Sequence, residues 1–154
     1  MANVRHQRYY CKPDSPSESV RIMKLEHIGI AVADIESTKN LLKAIFGAEP
    51  YKQEVVASEG VITHFYDAGG VKIELLEATS TDSAISKFIL KHGQGLHHLA
   101  FSVDHVSTDF ERLKGLGIQV LGDAPKQGAD GKWIFFAHPR DTSGVLMEFC
   151  SEQK

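Results

Sequence analysis

Leu25-Glu26-His27-Ile28-Gly29-Ile30-Ala31-Val32 is met a second time as Leu96-His97-His98-Leu99-Ala100-Phe101-Ser102-Val103. Lys72-Ile73-Glu74-Leu75 recurs in the same way as Leu146-Met147-Glu148-Phe149. His27 precedes Glu74 by 47 positions and His98 precedes Glu148 by 50. The period, about 71 residues, is too long for a solenoid and occurs only twice, so duplication within one domain accounts for it. Each copy offers one His and one Glu from strand-like sequence. Two copies can therefore assemble one four-ligand metal site with approximate two-fold symmetry.

The elements around these motifs read as one pattern used twice. Leu25 to Val32 is apolar and β-prone, as a buried strand is. Asp34 predicts an N-cap for a helix over 35–46, with Leu41, Leu42, Ile45 and Phe46 as its apolar face and Gly47 as its stop. Strands follow near 51–56, 61–66 and 71–77, with Gly69-Gly70 turning between the last two. Asp82 or Ser83 can cap a short connecting helix through Leu90, with Ile85, Phe88 and Ile89 apolar. The second unit repeats the order: a strand over 96–103, a helix over 107–116, and strands near 119–121, 133–137 and 145–150. The pattern is α+β: two tandem βαβββ units, 24–80 and 96–152, joined by a helix at 82–92.

The chain has 154 residues, 42% of them hydrophobic and 24% charged, enough for one compact core. A formal net charge of -3 argues against nucleic acid as a partner. No apolar run approaches the roughly 20 residues that span a membrane. Cys11 and Cys150 form no CxxC pair and no disulfide framework, and a reducing cytoplasm is the simplest expectation. Residues 1–22 are polar, with Pro13 and Pro16 and no clear periodicity, and read as a flexible extension before a single domain over 23–154. Arg5, Arg8 and Arg21 have the flavour of a transit peptide, but Asp14 and Glu18 weaken it. Met23 reads as an equally natural start.

A lone strand histidine is usually a hydrogen-bonded core residue, and a lone strand glutamate usually faces solvent. Repetition changes the weight. A carboxylate embedded in Val71-Lys72-Ile73-Glu74-Leu75-Leu76 is costly to bury unless something pairs with it, and Glu148 stands in the same predicament. A divalent ion accepts imidazole nitrogen and carboxylate oxygen and would satisfy all four groups at once. His97 adjoins His98, but strand alternation sends the two to opposite faces, and register with His27 selects His98. His64 and His138 have no repeat partner and read as surface or packing residues. His92 falls at the end of the connecting helix, where its charge suits the dipole. His6 and His105 carry no signal.

These motifs, with Gly95-Leu96-His97-His98-Leu99-Ala100-Phe101 and Gly144-Val145-Leu146-Met147-Glu148, resemble the vicinal oxygen chelate superfamily. Pro125-Lys126-Gln127-Gly128-Ala129-Asp130-Gly131-Lys132 and Phe136-Ala137-His138-Pro139-Arg140-Asp141 are most similar to its methylmalonyl-CoA epimerase subfamily. The resemblance spans about Lys24 to Glu152. It implies a glyoxalase-like α+β fold in which the two units form a cupped mixed sheet around a metal site, metal ligands at His27, Glu74, His98 and Glu148, a CoA-thioester substrate, a homodimer, and interconversion of the two epimers of methylmalonyl-CoA in propionate metabolism. It implies cobalt as the ion; zinc, nickel or manganese fit the same donors. Some members carry Gln in place of Glu74. One branch places a Glu base in a Gly-Val-Val-Glu run after the first helix. Here that run is Gly60-Val61-Ile62-Thr63, and Thr63 cannot act as a general base.

Epimerisation removes a proton from one face of the α-carbon and delivers another to the opposite face. The resemblance makes Glu148 one base, and the symmetry of the repeat assigns Glu74 as the other. Lys126 and Lys132, flanked by Gly128 and Gly131 in a loop, are placed to meet CoA phosphates; a solvated basic loop is the bland alternative. Glyoxalase I is the main rival, since it resembles the same ligand set. A drug-sequestering protein of the bleomycin-resistance type lacks the metal ligands. A ring-cleaving dioxygenase resembles a two-His, one-Glu site.

Overall fold

The computed structural model describes residues 23–153. The readings of residues 1–22, with His6 and Cys11, lie outside that range. Eight strands form one mixed sheet. The first unit is β1 (Lys24–Val32), α1 (Ile35–Phe46), β2 (Lys52–Val56), β3 (Val61–Asp67) and β4 (Lys72–Ala78). After α2 (Ala84–His92) comes the second: β5 (Gly95–Ser102), α3 (Val106–Gly115), β6 (Val120–Gln127), β7 (Trp133–Ala137) and β8 (Met147–Ser151). The sheet order β2-β3-β4-β1-β5-β8-β7-β6 reads the same from either edge once the units are exchanged. Within each unit the first strand pairs in parallel with the last: β1 with β4, and β5 with β8. The units meet where β1 and β5 run antiparallel, so the two-fold relation passes between the two histidine-bearing strands.

Local chemistry sets the helix ends. The Asp34 carboxylate accepts from Ser37 N at 3.0 Å, and Gly47 takes the left-handed conformation (φ 69°) in which its N–H reaches Lys43 O. The Ser83 hydroxyl accepts from Ser86 N and starts α2. Strand alternation then sorts the two faces. Leu75, Phe135 and Phe149 point to the outer face, under α1 or α3. Their neighbours Glu74, Phe136 and Glu148 point into the cup. On the outer face α3 packs Val106, Phe110 and Leu113 against Phe135, Ala137 and Phe149. Inside the cup α2 packs Ile85 against Ala31, Val56, Val61 and Leu76.

Two expectations are corrected. Lys126 does not sit in a loop: β6 extends to Gln127, with Lys126 opposite Ile134 and Gln127 opposite Trp133. Its Gly, Pro and Lys content is loop-like, but it is also the composition that an edge strand tolerates. A five-residue step from Leu121 to Lys126 against a two-residue step on β7 marks a large bulge in this edge. Only 128–132 remains as the turn. The second correction concerns His97 and rests on the geometry of the site.

Candidate functional site

The cup between the two units is lined by Glu26, His27, Thr63, Lys72, Glu74, His97, His98, Phe136 and Glu148, among others. His27 and Glu74 come from β1 and β4, His98 and Glu148 from β5 and β8. All four are at most 5% exposed. Nε2 of His27 lies 3.0 Å from Nε2 of His98, and Glu148 Oε2 lies 3.2 Å from His98 Nε2 and 3.7 Å from His27 Nε2. These three donors converge on one point. Glu74 stands on the other side of the ring, its Oε1 3.6 Å from His27 Nδ1. The structure thus brings three of the four expected ligands within a single ion's reach and places the fourth against the first histidine.

Beta-bulges explain why the histidines converge. On β1, Leu25 pairs with Phe101 and His27 with Ala100, so Glu26 is an extra residue. On β5, Gly29 pairs with His98 and Ile30 with Leu96, so His97 is the extra residue. A bulge interrupts alternation, and consecutive side chains can then share a face. Expected on the opposite face, His97 therefore lines the cup beside His98, its Nδ1 2.9 Å from His98 Nδ1. Glu26 likewise lines the cup and hydrogen-bonds His27 Nδ1. Gly29 makes room for the second histidine: a Cβ there would lie 2.2 Å from the Cε1 of His98.

Burial and charge shape the titrations. Burial pushes the Glu74 carboxyl up to about 7, against the opposing pull of His27. Burial lowers His98 to about 4. Burial would also lower His27, but hydrogen bonds to Glu148 and Glu26 outweigh it and raise the metal-free ring to about 10, so an ion on Nε2 would displace the proton there. Two ring nitrogens and a carboxylate oxygen that meet in a buried space call for positive charge between them. Imidazole nitrogen and carboxylate oxygen are the donors that divalent first-row ions accept, so the residues fit such an ion.

Glu26, Gly29 and Asp130 drew no site role from the sequence, and alternation set His97 on the wrong face. A signal was present for Glu26 and His97: in both units a polar residue stands immediately before the histidine inside an apolar strand. The two lysines part company. Lys132 Nζ turns inward and donates to Glu26 Oε1 at 2.5 Å. Lys126 is half exposed, pairs with Glu59 at 2.6 Å, and lies over the Phe136 ring. Thr63 is 1% exposed and faces the cup, without a basic group. His64 is buried and meets Glu77, and His138 Nδ1 accepts from Arg140 N at the 139–141 turn. No helix among the described residues is long and apolar enough to cross a membrane.

The sequence pattern of the glyoxalase/bleomycin resistance protein/dioxygenase superfamily matches residues 26–136. The uncharacterized protein YqjC of Bacillus subtilis is 41% identical over 127 residues, 82% of this chain and 91% of that one. The mitochondrial methylmalonyl-CoA epimerase of Mus musculus is 35% identical over 129 residues, 83% of this chain and 72% of that one. A solved structure of Streptomyces coelicolor methylmalonyl-CoA epimerase, in complex with 2-nitronate-propionyl-CoA, superposes with a TM-score of 0.75 at 36% identity. It covers 82% of this chain and 94% of that one.

Proposed function

This chain belongs to the glyoxalase/bleomycin resistance protein/dioxygenase superfamily, and from that premise we propose that it is a metal-dependent epimerase of methylmalonyl-CoA. One observation carries the reading: two buried carboxylates from equivalent strands of a duplicated unit, Glu74 and Glu148, face one cup on either side of the His27 ring. Relatives that act on methylmalonyl-CoA support the choice of substrate.

His27, His98 and Glu148 would hold the ion, with Glu74 as a fourth ligand from the first unit. When bound, a divalent ion supplies Lewis-acid stabilisation of the charge that develops on the thioester oxygen. The chain supplies the proton chemistry. One carboxylate takes the α-proton, the C–H pair passes into the enolate, and the other carboxyl group gives its proton to the opposite face. The first ends protonated and the second ionised, so the next turnover runs in reverse or follows exchange with solvent. Burial raises the Glu74 carboxyl to about 7 in the metal-free chain, and an ion at the site would pull it back toward the ionised form in which it can accept a proton. Glu148 plays the matching part from β8. Thr63, which cannot carry a proton in this way, leaves Glu74 as the group on the first unit's side. Both lysines are paired, Lys126 with Glu59 and Lys132 with Glu26, but Lys126 is the more exposed and would be the one to exchange its carboxylate for a CoA phosphate.

The test is conversion of one methylmalonyl-CoA epimer to the other by the metal-stripped and the cobalt-restored protein. Conversion restored by the ion is expected. A restored protein that instead forms lactoylglutathione from methylglyoxal and glutathione would reassign it as a glyoxalase I.

A further inference from the structure

The bulges do more than aim two histidines; they give each a partner at its second nitrogen. A histidine that offers Nε2 to a metal must carry its proton on Nδ1, and a group that accepts from Nδ1 fixes both tautomer and ring direction. In this protein the acceptor is in each case the bulged residue just before the histidine. Glu26 takes His27 Nδ1, and His97 takes His98 Nδ1 at 2.9 Å. Both Nε2 atoms are then left facing each other and Glu148.

The two partners differ in kind. His97 is a half-buried neutral ring packed edge-on against Phe88, and burial keeps it neutral. Glu26 is a carboxylate, 8% exposed, and two lysines pin it. Lys72 Nζ lies 2.8 Å from its Oε1, because β4 pairs in parallel with β1 and puts Lys72 opposite His27. Lys132 Nζ reaches the same oxygen at 2.5 Å from the second unit. The turn that carries Lys132 is itself tied to the first unit. Asp130, at φ 60°, bridges Lys52 and Lys72 at 2.6 Å each, and its N–H donates to the Glu54 carboxylate. A non-glycine residue in the left-handed region is held there by such contacts.

We propose that Glu26 is a positioning residue that holds the His27 proton on Nδ1 and turns Nε2 into the cup, and that Lys132 extends this control to the 128–132 turn of the other unit. The inference rests on the metal-site reading of His27, His98 and Glu148. It concerns how tightly the ion is held, not which reaction follows. Outer partners of this kind typically change metal affinity by about 10–100-fold.

The test titrates Co2+ into the metal-stripped full chain by calorimetry and records the ring nitrogens of 15N-histidine in the Zn2+-loaded chain. Glu26→Leu is expected to weaken Co2+ binding by about 10–100-fold and to remove the Nδ1–H signature of His27 while that of His98 persists. Glu26→Gln, which keeps an acceptor in place, is expected to restore that signature and recover part of the affinity. Lys132→Met is expected to lose less than Glu26→Leu, since Lys72 remains. Wild-type affinity in Glu26→Leu, or an unchanged His27 signature, overturns this inference alone. A wild-type chain that takes up neither ion overturns the metal site itself and this inference with it. Glu26→Gln guards against a folding defect in the leucine variant: affinity as weak as that of Glu26→Leu with an intact His27 signature also overturns the proposal.

Discussion

The two halves of this sheet carry the same histidine and the same glutamate at matching places, and they surround them differently. In the first half, His27 lies between three carboxylates: Glu26, Glu74 and Glu148. In the second, His98 meets one carboxylate, two histidines and the edge of Phe136. The helices differ as well. α3 buries Val106, Phe110 and Leu113 against its own half, whereas α1 buries no residue completely and leaves Leu41, Ile45 and Phe46 more than half exposed. Duplication has kept the strands and the donor residues, while the placing of the glutamate, the electrostatics and the packing have diverged. The lesson is that the two-fold relation holds for backbone and donor type, not for donor geometry or charge.

Three pairs of variants press on that comparison. The largest effect belongs to the carboxylates. Glu148→Gln should cut epimerisation by roughly 10²–10⁴-fold, the usual worth of a positioned acid–base group, and Glu74→Gln should cost a comparable factor. A Glu74→Gln variant that binds metal and retains full epimerisation would show that only the second half works as a base. The helices come next. Phe110→Ala should destabilise by about 3–5 kcal/mol through the cavity it leaves under Phe135, read as a fall in the denaturation midpoint, while Ile45→Ala should stay within about 0.5 kcal/mol in the monomeric chain. Equal costs would mean that α1 is as well buried as α3, as an association between chains would make it.

Smaller effects separate the two central strands. His98 stacks over Gly29, and His27 pairs across from Ala100. Gly29→Ala should displace the His98 ring and weaken metal binding by about 10-fold or more, on the scale at which ligand orientation matters. The mirrored change, Ala100→Gly, should leave metal binding intact and cost only about 0.5–1 kcal/mol of stability, as glycine in a strand does. Metal titration and thermal melts of the pair give both readings. If Ala100→Gly harms binding as much as Gly29→Ala, the tight packing at Gly29 is not what seats the ligand.

Much of this was legible in the sequence because duplication makes a weak signal count twice. Asp34 and Gly47 bound α1 as expected, since caps are chosen by side-chain chemistry that a sequence displays. The four donor residues stood out because a carboxylate inside Val71-Lys72-Ile73-Glu74-Leu75 conflicts with its surroundings. The bulges were not legible. They insert a residue without changing the hydrophobic pattern, so strict alternation placed His97 on the wrong face and overlooked Glu26. The extent of β6 was hidden for another reason. An edge strand bonded on one side only tolerates Gly122, Pro125 and Lys126, residues that elsewhere mark a loop. The engagement of Lys132 with Glu26 joins residues 106 apart and depends on how the halves meet, which neither half records alone.

The central claim is that matched carboxylates from the two halves serve opposite faces of one α-carbon. It is tested most directly by running the cobalt-restored protein on each epimer of methylmalonyl-CoA in D2O and analysing the first fraction converted. Two bases predict product that carries solvent deuterium at the α-carbon while recovered substrate stays protiated, from either epimer. Deuterium entering recovered substrate as fast as product, or product that keeps the original proton, would mean one shared base and would contradict the account.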